Sequence, residues 1–212
     1  QIQEFELSAD NYEANRHYFL NLYHQQHYDE AMSTLPVVNS TMYITRIEVW
    51  VTNRNNSIEN TRNIIAFADL GEAKQENCQG NPGGYSVNEI PRNEANDLYN
   101  WAANQPTIRG FANSVSTLSS QFSSPGPFEQ AVEYEKLENA RRLEESDFTY
   151  NALLGYISLN SPLNNDEILS VAYEYTYRGE TYQVGEFSTD GSSGQDALIL
   201  KLLRPTITNP NN

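Results

Sequence analysis

The chain carries a single cysteine, Cys78, in 212 residues. A lone thiol cannot close an intramolecular disulfide, so a stapled framework is excluded and cysteine usage says nothing about compartment. Basic side chains are scarce as well, 13 Lys and Arg against 28 Asp and Glu, for a net charge of −15. Such a field repels a phosphate backbone, whose binding depends on Lys and Arg releasing counterions, and it discourages docking on anionic lipid. No run approaches the ~18 apolar residues of a membrane-spanning helix; the longest candidate, NALLGYISL at 151–159, is far too short. The phosphate loop GxxxxGK(S/T), the dinucleotide fingerprint GxGxxG and the nucleophile elbow GxSxG are all missing, which leaves nucleotide use and hydrolase chemistry without a motif. There is no signal peptide. The start at Gln1 without Met and the TNPNN end lead us to expect a fragment whose targeting sequence lies elsewhere in a longer parent.

What is present is mostly strand pattern. Over 43–51 (YITRIEVWV), Tyr43, Thr45, Ile47, Val49 and Val51 share one face and Ile44, Arg46, Glu48 and Trp50 the other, the period of two that marks a strand. An Asn-rich stretch, 53–60, leads to a second apolar run, NIIAFADL at 63–70, so a long-looped antiparallel pair is expected. Further strands are expected at 3–7, 153–159, 168–177, 181–188 and 197–203. In 168–177, Leu169, Val171, Tyr173, Tyr175 and Tyr177 share a face, and the Arg178-Gly179 link to the next strand predicts a tight hairpin with Gly179 at positive φ. Residues 131–143 have mixed signals and are read as an extended entry with a short helix.

Helical spacing appears in two regions. The run from Ser8 or Asp10, as N-cap, to Met32 predicts one long N-terminal helix, with Tyr12, Phe19, Tyr23 and Ala31 near one face. Between 95 and 122, Ala95, Leu98, Tyr99 and Ala102, then Ile108, Phe111, Val115, Leu118 and Phe122, keep three- and four-residue steps and predict two short helices packed as a hairpin. Turn-rich NCQGNPGGYS at 77–86 and SSPGP at 123–127 interrupt regular structure. The expected fold is α+β: an antiparallel β-sandwich, jelly-roll-like, with a long N-terminal helix and a helical insertion in the middle. At this length folding buries roughly 70% of the unfolded surface without staples. We expect a single module over 1–212, with a subdivision into a strand-helix part, 1–122, and a β-rich part, 128–205.

Chemistry-bearing constellations are sparse. His17, His24 and His27 fall within eleven positions, and a metal site from one helix would need Glu13 or Asp29 to join them, but the spacing matches no ligand motif. Cys78 sits in a loop with no nearby histidine to lower its pKa. The pairs Glu144/Glu145 and Asp166/Glu167 are read as surface charge, since adjacent carboxylates point apart. DGSSGQD at 190–196 has oxygen ligands but not the EF-hand pattern. We therefore expect no catalytic, cofactor or metal residues. The partner-binding candidates are Tyr173, Tyr175, Tyr177 and Tyr182, a ribbon read first as a stapled sheet face and second as a recognition surface.

Three phrases identify a family: LPVVNSTMYITRIEVWVTN, NTRNIIAFADLGE and EYTYRGETYQVGEFSTDG. Together with ELSADNYEANRHYFL at one end and LILKLLRP at the other, they closely resemble the SprA family, called Sov in some species, the giant outer-membrane translocon of the type IX secretion system. The resemblance implies a parent that passes folded cargo bearing a C-terminal sorting signal through a large β-barrel. It implies a PorV-type lipid-linked barrel and a periplasmic plug protein as partners, and support for gliding adhesins and secreted proteases. It carries no catalytic motif. The expected role is a non-catalytic structural or gate-associated module outside the barrel, periplasmic or extracellular. A carbohydrate-binding sandwich using Trp50, Trp101 or the tyrosines is the alternative, and a hydrolase, which would need convergent carboxylates in a cleft, is the third.

Overall fold

A computed structural model describes residues 13–54, 58–72, 90–120, 127–190 and 196–206. The expected strand at 3–7, the turn at 77–86 with Cys78, and most of the 123–127 and 190–196 segments lie outside the described residues.

The elements in chain order are β1 (His17–Phe19), α1 (Leu22–Gln26), α2 (Tyr28–Met32), β2 (Met42–Val51), β3 (Thr61–Phe67), α3 (Leu98–Ala103), α4 (Pro106–Arg109), α5 (Ser114–Leu118), β4 (Tyr134–Arg142), β5 (Phe148–Asn151), β6 (Tyr156–Leu159), β7 (Leu169–Tyr177), β8 (Glu180–Val184) and β9 (Leu198–Arg204). Strands dominate. The order β2-β4-β3-β9-β7 closes on itself through a β2–β7 pairing, so five strands form a barrel, and β8 extends β7 as a hairpin. The β3–β9 pairing is parallel, from Ile64↔Leu198 to Phe67↔Lys201, and the other pairings in the ring are antiparallel. A second sheet, β1-β6-β5, lies apart from the ring. The expected jelly-roll-like sandwich is therefore corrected to a closed barrel with a small accessory sheet. Local alternation specifies strands but not which edge of β2 meets which partner, and that choice separates a barrel from a sandwich.

The long N-terminal helix is also corrected. Asn15 sits at φ 59°, outside the right-handed helical region, and residues 17–19 pair with β6 in the register His17↔Ser158 to Phe19↔Tyr156. Among the described residues of this run a helix begins only after Asn21, whose extended backbone (φ −161°, ψ 166°) and side-chain oxygen, accepting from His24 N–H at 2.8 Å, make it an N-cap. α1 and α2 have five residues each. Good helix formers there are overridden by strand pairing and by a cap at Asn21. Within 131–143 the expected short helix is absent: after a turn at 131–133, Tyr134–Arg142 form β4, held by β3 along most of its length.

Alternation sorts the apolar residues into three cores. Trp50, Ile64, Ala66, Leu137, Ala140, Ala172, Phe187, Leu198, Leu200 and Leu202 fill the lumen. Ile65, Phe67, Tyr134 and Ile199, on the opposite faces of β3, β4 and β9, pack under α3, α4 and α5 through Leu98, Ala102, Ile108 and Leu118. The outer face of β2 and β7, with Ile44, Val49, Val171, Tyr173 and Tyr175, packs on Leu20, Phe148, Ile157 and Leu159 of the accessory sheet and its flank. The expected faces of β2 hold for Ile47, Val49 and Val51 but invert before them. The pairing register shifts between Ile44↔Tyr175 and Arg46↔Glu174, a bulge that turns Met42 and Ile44 inward and leaves Tyr43 half exposed. The β7–β8 turn is as expected, and both central residues are left-handed, Arg178 at φ 52° and Gly179 at φ 89°.

Candidate functional site

Three polar clusters tie these cores together. In the first, Glu72 and Lys201 are both buried and pair at 2.6 Å, with Lys201 Nζ also donating to the Ala68 carbonyl. Glu72 also accepts from Leu22 N–H at 3.2 Å, which anchors the start of α1 to the barrel, and Asn96 Nδ2 donates to the carbonyls of Asp69 and Glu72 at 2.9 Å each. Burial pushes the Glu72 carboxyl up, and the neighbouring Lys201 ammonium only partly offsets that. In the second, Glu186 accepts two bonds of 2.6 Å from Arg109 Nη1 and Nη2, one of 2.9 Å from Tyr99 Oη and one of 3.1 Å from Ile199 N–H. Burial, then the Glu186 charge, pushes the Tyr99 hydroxyl up to about 12. This clasp locks α3 and α4 to β9. In the third, β2 and β4 meet at Trp50↔Arg142 and Val51↔Arg141 and then part. There Ser188 donates to Glu48 from its N–H (2.9 Å) and Oγ (3.0 Å), while Arg46 lies 3.7 Å over the Phe187 ring.

Among the described residues, a cleft of about 270 Å³ lies between α1–α2, the 39–41 segment, the 153–154 turn and the tip of the β7–β8 hairpin. Its walls include Tyr23, Tyr28 and Tyr177, with Glu30, Asn39 and Arg178 at its polar positions. His24 lines it and is 4% exposed. Asn21 Nδ2 donates to Tyr173 Oη at 3.0 Å, which identifies Oδ1 as the oxygen that His24 Nδ1 meets at 2.9 Å. His24 Nδ1 is consequently the protonated nitrogen, and Nε2 presents a lone pair. Among the described residues no hydrogen-bond partner reaches Nε2. Burial, followed by the proximity of His27, lowers the pKa to about 4, so the ring is neutral at pH 7.

The sequence-predicted candidates are dispersed. His17 is on β1, bonded to Glu13 (2.7 Å) and Ser158 (2.8 Å); His24 is buried in α1; His27 follows α1, stacked on Tyr23 with centroids 4.1 Å apart. Asp29 belongs to α2. Among the described residues no group of three or more His, Cys, Asp or Glu is arranged to hold a metal. Tyr173 and Tyr175 are fully buried, Tyr177 and Tyr182 partly so, and Tyr175 stacks on its cross-strand partner Tyr182 at 5.7 Å. The ribbon is core along most of its length, and Tyr177 alone of the four lines the cleft. Trp50 is 1% exposed in the lumen, and Trp101 packs on Phe128 at 5.5 Å. Asp166 binds Arg54 and Glu167 accepts from Asn164 N–H at 2.7 Å, so that pair shapes a turn. Asp190 accepts from Gln183 Nε2 at 3.1 Å. Sequence reading missed Asn21, Glu72, Arg109, Glu186 and Lys201. Their partners lie as far as 152 positions away, and no local pattern announces them.

A family model described as motility related/secretion protein, SprA_N, matches residues 1–177. The chain belongs to this SprA family. The matched span includes β2, β3, β4 and β7, four of the five barrel strands, so it covers most of the ring. No curated protein matches the chain. The family associates this member with motility and secretion and hence with the cell envelope, and no helix among its described residues is long and apolar enough to cross a membrane.

Proposed function

We propose that this SprA-family chain is a non-catalytic structural or gate-associated module of the outer-membrane translocon of the type IX secretion system, which exports folded cargo and supports gliding motility. The carrying observation is the family match over 1–177, joined to the resemblance of the three quoted phrases to the translocon. The geometry suits that role. A lumen packed with Trp50, Phe187 and leucines makes the small barrel a solid body and not a conduit, and the Glu186 and Glu72 clusters brace its attachments. An excess of 15 negative charges resists nonspecific adhesion of passing cargo. The module faces the periplasm or the cell exterior. It docks against other parts of the parent barrel, with the PorV-type protein, the plug protein and secreted cargo as partners of the whole machine.

The test is an in-frame deletion of this module from the parent, with secretion of signal-bearing cargo and gliding measured alongside parent abundance in the outer membrane. The expected outcome is lost or leaky export with the parent still inserted; normal export and gliding would end the gating version. Copurification of the PorV-type and plug proteins, with and without the module, reports docking.

A further inference from the structure

We propose that Ser158 is an acyl-acceptor site: its hydroxyl, activated by His17 and Glu13 on the outer face of the accessory sheet, takes an acyl group from a small activated ester. The inference stands independently of the export reading and requires no turnover, because a single transfer per chain is all it entails. Three side chains form a continuous run of bonds. His17 Nδ1 and Ser158 Oγ lie 2.8 Å apart, and His17 Nε2 lies 2.7 Å from Glu13 Oε2. The tautomer follows from the partners. A carboxylate only accepts, so Nε2 of the neutral ring carries the proton, and Nδ1 is left with a lone pair that accepts from the Ser158 O–H. Glu13 is held charged: the hydrogen bond from His17, then the charge of Arg16, whose Nη1 donates to Oε1 at 3.0 Å, keeps its carboxyl below the usual range. Serine, imidazole and carboxylate in this order let a base take the hydroxyl proton as the oxygen attacks. The two ring nitrogens exchange the places they hold in the serine-protease triad, which leaves the donor and acceptor roles unchanged.

The backbone sets this row. His17↔Ser158 is a cross-strand pair of β1 and β6, and such partners project from the same face of a sheet. Glu13 reaches the far side of the ring because the chain turns before β1, with Asn15 at φ 59°. The turn is fixed to the accessory sheet and its flank, the Asn15 carbonyl accepting from Leu163 N–H at 3.0 Å and the Arg16 carbonyl from Leu159 N–H at 2.9 Å. Thr149, the partner of Ser158 on β5, brings a second hydroxyl to that face, a donor for the oxyanion that forms during attack. The His17 and Glu13 side chains are about half exposed and Ser158 is half-buried, so a small ester reaches the hydroxyl from solvent. In the transfer, Oγ bonds to the carbonyl carbon and its proton passes to His17 Nδ1; the bond from that carbon to the leaving oxygen then breaks, and the leaving oxygen takes the proton from His17. With a phenolate as leaving group the acyl-serine accumulates, because the serine alkoxide leaves far less readily.

The experiment treats the chain with p-nitrophenyl acetate at pH ~8, where an ordinary histidine is neutral, and follows p-nitrophenolate release and the acetylated peptides by mass spectrometry. Acetyl should appear on Ser158 ahead of every other hydroxyl, and Ser158→Ala should lose that label. General-base assistance contributes about 10²–10⁴-fold in a developed site, so on this open face His17→Gln should slow the labelling of Ser158 by roughly tenfold or more. Protection of the Tyr18 amide, which lies opposite Ile157, checks that β1 stays paired in the variant. Glu13→Gln leaves His17 in place and tests the positioning role: labelling slows several-fold, and the ring nitrogen resonances change from one Nε2-protonated tautomer to a mixture of two. Acetyl spread over serines and threonines without preference for Ser158 would overturn the proposal. Labelling of Ser158 at the wild-type rate in His17→Gln would overturn it as well, and so would a ring in Glu13→Gln that keeps both its tautomer and its rate, since the bonds would then serve only to tie β1 to β6.

Discussion

Single side chains in this protein are constrained most tightly around His24. Its pKa of about 4 lies below the usual ~6.5 of an unfolded histidine, so between those values the unfolded chain holds a proton that the native state excludes. Stability from this group is complete above pH ~6.5, declines as pH falls through the window and levels off below about 4, a loss of at most about 3 kcal/mol. Urea titrations at pH 7, 5.5 and 4 on the wild type and on His24→Gln measure it, and the variant should lack this part of the slope. Gly155→Ala attacks the same ring directly. The new Cβ meets His24 at a distance no van der Waals contact allows, at a backbone φ of 60°, and should cost about 3 kcal/mol in the midpoint of denaturation.

Among the elements, the β7–β8 hairpin and the α3–α4 clasp make contrasting predictions. At Gly179 a Cβ would meet nothing within 4 Å, so Gly179→Ala suffers from its φ of 89° alone and should lower stability by about 1 kcal/mol in a thermal melt. A larger loss would show a steric role that the hairpin does not display. Glu186→Ala removes the acceptor of two Arg109 bonds and of Tyr99, leaving a partly buried guanidinium unpaired, and should cost about 3 kcal/mol. Hydrogen exchange in 98–109 should accelerate in that variant more than in β2 or β7. Exchange rising equally across all strands would mean the clasp supports the whole barrel and not its helical cover.

For the whole molecule, the decisive feature is that chain order and ring order differ. β3 takes β4 on one side and β9 on the other, and β7 joins β2 to β9, so strands from before and after residues 121–126 are interleaved in one barrel. Fragments 1–120 and 127–212 each contain an incomplete ring with open edges, and neither should give a native-like spectrum alone, whereas mixing them should restore it. The intact chain should unfold in one transition by circular dichroism and by the fluorescence of Trp50 and Trp101; two separated transitions would show that the halves are independent bodies.

Alternation and turn chemistry made several elements legible in the residues: the body of β2, the apolar run of β3, the Tyr173–Tyr175 face of β7, and a hairpin turn at Arg178-Gly179. These are local properties, dictated by side chains two residues apart and by a glycine that must take positive φ. The family resemblance was legible too, because whole phrases survive in order. Barrel closure, the bulge that inverts Tyr43 and Ile44, and the break of the apparent N-terminal helix at Asn15 and Asn21 were settled by pairing with strands more than 100 residues away. The same holds for the cleft. Its histidine, its tyrosines and its arginine come from opposite ends of the chain, and long-range packing alone brings them to one place, since no local spacing encodes a partner at such separation.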